Sequence, residues 1–123
     1  MDNGVTTGID IIEIDRIKNA IDNWRQGFLS RVFTQPELNL CGNNAASIAA
    51  RFAAKEAVIK ALSYRTLLCN WHDIEILSQE NGRPLLKLHG KALAESSKLG
   101  FKNMDVSISH CRKYAIAVVV GQC

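Results

Sequence analysis

Two acids stand where acids are costly. Asp10 lies between Ile9 and Ile11 in an apolar, β-branched run, a segment that reads as a strand and in which aspartate has poor propensity. Alternation puts it on the face shared with Gly8, a residue that lets another backbone or a ligand come close. Taken alone, a solvent-facing or strand-end acid is the simpler explanation. Glu56 has Phe52 four residues before it and Ile59 three after, so it lies on or beside the apolar stripe of a helix. Lys60, one turn on, could pair with it and account for it fully. Taken together, Asp10 and Glu56 offer two hard oxygen ligands on separate elements. Mg²⁺ is usually held by one or two carboxylates, waters and the phosphates of a substrate, so the pair suits a site for metal and phosphate.

The same helix carries Arg51, Lys55 and Lys60, a cationic set that phosphate oxygens could use, although a solvated helix face is the commoner meaning of such spacing. Ser107-Ile108-Ser109-His110 runs from a strand into a turn where hydroxyls and an imidazole could meet a ligand. There is no glycine-rich phosphate loop and no nucleophile elbow. The cysteines, Cys41, Cys69, Cys111 and Cys123, are far apart and form no C-x-x-C pair, and the three histidines lack zinc-finger spacing. Free thiols are expected rather than a metal site.

The elements that must position these groups follow from the pattern. Val5 to Ile12 reads as a strand, and Glu13 to Trp24 as a helix with Ile14, Ile17 and Ile21 on one side, interrupted at Gly27. Thr34-Gln35-Pro36-Glu37 is an N-cap, an early proline and a first-turn acid, and it starts a short helix ending near Gly42. Asn44 to Ser63 is alanine-dense and free of Gly and Pro, the strongest helix signal in the chain. After Trp71 the period becomes that of strands: Ile74 and Ile76, an Asn81-Gly82 turn, then Pro84 to Leu88 predict a hairpin. A helix over Gly90 to Leu99 and strands over Asp105 to Ser109 and Tyr114 to Val120 complete the reading. Helices and strands are mixed without regular alternation, so the expected class is α+β, a small mixed sheet packed against one long helix, forming a single domain over residues 1–123.

Composition sets the limits. In 123 residues, 47% are hydrophobic, 22% charged and 7% aromatic, with a net charge of +3. Such a chain encloses one core but no large private cavity, so a second subunit is one way an active site here could be completed. No apolar run approaches the ~20 residues of a membrane span, and the first residues form no secretory pattern, so the expectation is a cytoplasmic protein without a membrane partner. The mild positive charge favours acidic partners or phosphates, and the scarcity of aromatics with no basic stripe argues against nucleic acid.

The ordered strings Gly8-Ile9-Asp10-Ile11-Ile12-Glu13-Ile14-Asp15-Arg16-Ile17, Phe33-Thr34-Gln35-Pro36-Glu37-Leu38 and Arg51-Phe52-Ala53-Ala54-Lys55-Glu56-Ala57-Val58-Ile59-Lys60-Ala61-Leu62 resemble the bacterial short-chain 4'-phosphopantetheinyl transferases, the holo-acyl-carrier-protein synthases. The likeness continues through Trp71 to Ile76, Asn81 to Pro84, and Val106-Ser107-Ile108-Ser109-His110 into Tyr114 to Val118. The combination, above all the F-x-A-K-E-A-x-x-K-A core, is specific where each fragment alone is weak.

The resemblance implies transfer of the 4'-phosphopantetheine arm of coenzyme A to a serine of apo-acyl carrier protein, in support of fatty-acid synthesis, with Mg²⁺ as the metal. Asp10 and Glu56 match the two metal-ligand positions, and Glu56, Lys60 and Asp10 would carry the chemistry. Arg51, Lys55 and Lys60 match a helix facing coenzyme A phosphates, and Gly82, Arg83, Pro84, Ser109 and His110 match loops near the nucleotide. Arg16, Ile17, Arg25, Phe28 and Arg31 match the surface that receives the acidic carrier protein. A homotrimer with sites between subunits is also implied. The chain departs from the pattern at Ser63-Tyr64-Arg65-Thr66, where many relatives carry Gly-Thr-Gly, and at Cys111, where an acid is common. A non-catalytic binding module with the same fold is the competing expectation.

Overall fold

A computed structural model describes residues 4–62 and 70–123, with the side chains of Arg25 and Gln26 outside the description. The elements are β1 (Val5–Glu13), α1 (Ile14–Val32), α2 (Gln35–Cys41), α3 (Ala45–Ala61), a 3₁₀ turn (Trp71–Asp73), β2 (Ile74–Ser78), β3 (Pro84–Leu88), α4 (Gly90–Lys98), β4 (Asn103–His110) and β5 (Tyr114–Gln122). One sheet has the order β1-β5-β4 and a second pairs β2 with β3. Every pairing is antiparallel, and Asp10 stands opposite Ala117.

The expected long helix is α3, and it lies across the sheet. Asn44 caps it by accepting from the Ser47 amide at 3.0 Å. Its inward face is built of small residues, with Ala49, Ala50, Ala53, Ala54, Ala57 and Ala61 almost wholly buried. Alanine has the best helix propensity and leaves no side chain to hold a neighbour away. On β1 the matching residue is Gly8, where a Cβ would stand 1.9 Å from the Ala57 carbonyl oxygen. Two backbones therefore touch, and the Thr6 hydroxyl donates to the Ala61 carbonyl at 3.1 Å.

One apolar cluster, including Val58, Leu62, Ile74, Ile76, Val106 and Val119, fills the space between α3 and the strands. A second, including Ile14, Ile17, Val32, Phe33 and Ile48, joins α1, α2 and α3. Thr34 closes a complete capping box with Glu37, as its sequence predicts. Gly27 does not interrupt α1, which runs unbroken to Val32. No atom lies within 4 Å of where its Cβ would be, so the glycine faces outward. The buried stripe on the other side carries the helix through at a cost of only ~1 kcal/mol.

The outer face of the three-stranded sheet is apolar and open. Ile9 is 55% exposed and Ile11 61%, with Val5, Val118 and Val120 also exposed beside them. Among the described residues no helix is long and apolar enough to cross a membrane. Cys41, Cys111 and Cys123 are free thiols, as expected, while Cys69 and the Tyr64 segment lie outside the described residues.

Candidate functional site

The contact of Gly8 with α3 determines where the next inward residue of β1 points. Thr6, Gly8, Asp10 and Ile12 turn toward α3, whereas Val5, Thr7, Ile9 and Ile11 turn outward. Asp10 is thus not a solvent-facing acid on the outer surface. Lys60 Nζ lies 3.3 Å from Asp10 Oδ1 and donates to the Ile9 carbonyl at 2.8 Å. Glu56, one turn earlier on α3, is half-buried. Burial first, and the charge of Asp10 second, push its carboxyl above the usual range, with Lys60 opposing them. A carboxylate so disfavoured gains from any added cation.

Among the described residues no group of three or more His, Cys, Asp or Glu could hold a metal ion. Two carboxylates alone do not make a closed protein cage. They do fit Mg²⁺, which keeps waters and takes substrate phosphate oxygens as its remaining ligands. The upward push on Glu56, from burial first and Asp10 second, means that an added cation would be favoured there.

The cationic set divides. Lys60 is partly exposed beside Asp10, but Lys55 has no exposed side-chain surface and Arg51 is 6% exposed. Lys55 pairs with Glu37 at 2.9 Å and donates to the carbonyls of Trp71 and Ile74. Burial pulls its ammonium below the ordinary range, against the raising influence of Glu37 and Glu75. Arg51 bonds the Ile76 carbonyl and the hydroxyls of Ser47 and Ser78. Arg51 and Lys55 were expected to face phosphates; inside this chain their donors are directed to backbone and side-chain acceptors.

The residues matched to the nucleotide end lie elsewhere. Gly82 takes a φ of 86° in the β2–β3 turn, which suits glycine. Arg83 pairs with Asp105 at 2.6 Å, and Pro84 opens β3. Asp105, Ser107 and Ser109 share the outward side of β4, and His110 is exposed at its end. Arg83, Asp105, Ser107, Val118, Val120 and Gln122 line a shallow groove of about 310 Å³ there. Within one chain this groove is on the side of the sheet away from Asp10 and Glu56.

Of the residues matched to the carrier surface, Arg16 and Arg31 are exposed and Phe28 is half-buried. Ile17, at 3% exposure, packs in the core of this chain. Arg25 has no described side chain. Sequence reading missed two residues here. Trp24 is 71% exposed and, with Phe28, Arg31, Phe52 and Trp71, lines an open cleft of about 510 Å³. Glu37 was legible as a helix-capping acid but not as the buried partner of Lys55, because that partner is remote in sequence.

A model of the 4'-phosphopantetheinyl transferase superfamily matches residues 6–119. The holo-[acyl-carrier-protein] synthase of Dehalococcoides mccartyi is 54% identical over 116 residues, 94% of this chain and 97% of that protein. That of Herpetosiphon aurantiacus is 44% identical over 124 residues, 95% and 98% of the two chains. Among solved structures, the Helicobacter pylori holo-[acyl-carrier-protein] synthase in complex with coenzyme A superposes with a TM-score of 0.85. It is 34% identical, with 94% of this chain and 98% of that one covered.

Proposed function

The chain belongs to the 4'-phosphopantetheinyl transferase superfamily, and we propose that the Asp10, Glu56 and Lys60 cluster is where it performs the reaction of the holo-[acyl-carrier-protein] synthases. The reaction moves the 4'-phosphopantetheine group of coenzyme A onto a serine of apo-acyl carrier protein, in support of fatty-acid synthesis. Adenosine 3',5'-bisphosphate is released. The observation that carries the site assignment is the Asp10–Lys60 pair at 3.3 Å, which joins β1 to α3 one turn beyond Glu56, whose carboxyl burial first and Asp10 second push upward.

Asp10 and Glu56 would hold Mg²⁺, which supplies polarisation of the diphosphate and neutralises the charge that develops on it. The serine hydroxyl attacks the phosphorus next to the pantetheine, and the bond from that phosphorus to the bisphosphate oxygen breaks. Either Glu56 or a water would take the serine proton. Lys60 turns from Asp10 toward a phosphate oxygen and contributes positive charge, while its second hydrogen bond to Ile9 keeps it near β1. Little covalent work falls to the chain, as is general in phosphoryl transfer.

The site is completed by another copy. The outer sheet face carries Ile9, Ile11, Val118 and Val120 exposed together, an apolar patch of the kind that marks an association surface. The groove of Arg83, Asp105 and Ser107 opens on that same face. Packing copies through it would bring the nucleotide-end residues of one protomer toward the carboxylates of the next, in a trimer. Exposed Arg16, with Arg31 in the cleft of Trp24 and Phe28, forms the docking surface for the acidic carrier protein.

Intact mass spectrometry of apo-acyl carrier protein incubated with coenzyme A, with Mg²⁺ and with chelator, tests this reading. A gain of one phosphopantetheine mass only with metal supports it. A carrier left unmodified, with coenzyme A still bound in a parallel titration, would favour the non-catalytic module.

A further inference from the structure

The buried pair Glu37 and Lys55 is not used in the transfer, and a buried ion pair rarely adds stability over a well-packed apolar pair of similar size. Its geometry gives it another use. Lys55 directs its ammonium to the Glu37 carboxylate on α2, the Trp71 carbonyl and the Ile74 carbonyl. Glu37 is equally committed: Oε1 accepts from the Thr34 amide at 2.8 Å and Oε2 from the Ile76 amide at 2.8 Å. Both side chains are wholly buried. One lysine of α3 is therefore tied at once to α2, to the 3₁₀ turn and to β2.

Much of the rest of the buried face of α3 is less directional: Ala49, Ala50, Ala53, Ala54, Ala57 and Ala61 offer little that resists roll about the helix axis, and the larger Ile48, Val58 and Ile59 make only apolar contacts. Arg51, one turn before Lys55, adds bonds to the same strand through the Ile76 carbonyl. Lys55 and Glu56 are consecutive, so the side chains leave the axis about 100° apart. Fixing the first fixes the direction of the second.

We propose that Glu37 and Lys55 are positioning residues that set the roll of α3 so that Glu56 faces Asp10, with Glu37 as the fixed anchor. This inference rests on the reading of Asp10 and Glu56 as the metal-holding pair. A roll of α3 would separate the two carboxylates. The lock acts through two charges because directional, charge-assisted bonds specify one orientation where apolar contact tolerates several.

The test is the double variant Glu37→Gln with Lys55→Met, which leaves no unpaired charge in the interior. Its melting midpoint is expected within about 5 °C of the parent. Its affinity for Mn²⁺, read from the free-ion electron paramagnetic resonance signal without substrate, is expected to fall about tenfold or more. The kcat of transfer falls with it while KM for coenzyme A holds, a split that general loosening of the fold would not give. A folded double variant with the parent's Mn²⁺ affinity and kcat overturns the proposal. If the double variant does not fold, Glu37→Gln alone decides by the same readings, with a smaller loss expected and parental values overturning it. Failure of the metal reading looks different: the parent, or Asp10→Ala set against it, then shows no Mn²⁺ binding to lose. In that case the positioning role stands or falls on the kcat and KM split.

Discussion

Lys60 Nζ bridges Asp10 Oδ1 at 3.3 Å and the Ile9 carbonyl at 2.8 Å, so the lysine of the long helix is bound to β1 and not to Glu56 on its own helix. An i,i+4 pair would have explained Glu56 as a surface residue. Burial first and the charge of Asp10 second still push the Glu56 carboxyl upward, with Lys60 opposing them.

Lys60→Ala removes the cation paired with Asp10 and, in the proposed mechanism, the charge directed at the diphosphate. Transfer, followed by mass spectrometry of the carrier protein, is expected to slow by roughly 10²-fold, the scale of losing one preorganised electrostatic group. Asp10→Ala is expected to cost at least as much. A parental rate in either variant would remove that residue from the site.

Glu56→Gln should inactivate transfer and stabilise the metal-free protein. The sign follows from the raised folded pKa, caused by burial and by Asp10. A carboxyl that binds its proton more tightly when folded loses stability as pH rises through its unfolded value toward its folded one. In chelator, the melting midpoint of the glutamine variant should exceed the parent's at neutral pH. The gap should close in acid below the unfolded value, where both side chains are neutral. A parent that melts higher at neutral pH would contradict the assigned shift.

Gly8→Ala forces a methyl group to 1.9 Å from the Ala57 carbonyl oxygen. Backbone is the obstacle, so β1 or α3 must shift. The expected cost is about 1–3 kcal/mol in urea unfolding, together with a loss of transfer larger than that destabilisation explains, since the shift parts Asp10 from Glu56. Native stability in this variant would show that the close approach is not needed.

Ile11→Asp places a charge on the open sheet face, where the residue is 61% exposed in one chain. The isolated fold should tolerate it. Light scattering should show smaller assemblies than the parent forms, and transfer should fall with them. Unchanged mass and rate would place the association surface elsewhere.

The elements themselves were legible because their signals are local. Alanine density and the Asn44 cap mark α3, Thr34 and Glu37 mark the start of α2, and the change of period after Trp71 marks β2 and β3. Gly27 shows the limit: read locally it ends a helix, but the stripe from Ile14 to Val32 packs on both sides of it and overrides one unfavourable residue. Asp10 and Glu56 stood out from residue type alone, since an acid in an apolar run needs a reason.

What the sequence determined by itself was the order and type of the elements, the two anomalous acids, and a string of residues specific enough to suggest the family. Only tertiary structure decided which lysine lies beside Asp10. Lys55 and Lys60 are identical residues five positions apart on one helix, and helical geometry puts them about 140° apart round the axis. That angle says they face differently but not which one faces in. The choice was made by groups far away in the chain: Glu37 and the carbonyls of Trp71 and Ile74 meet Lys55, and Asp10 meets Lys60. The same holds for β1, where alternation separates Asp10 from Ile9 and Ile11. It was the backbone contact at Gly8 that turned the acid toward α3 and left the isoleucines outside.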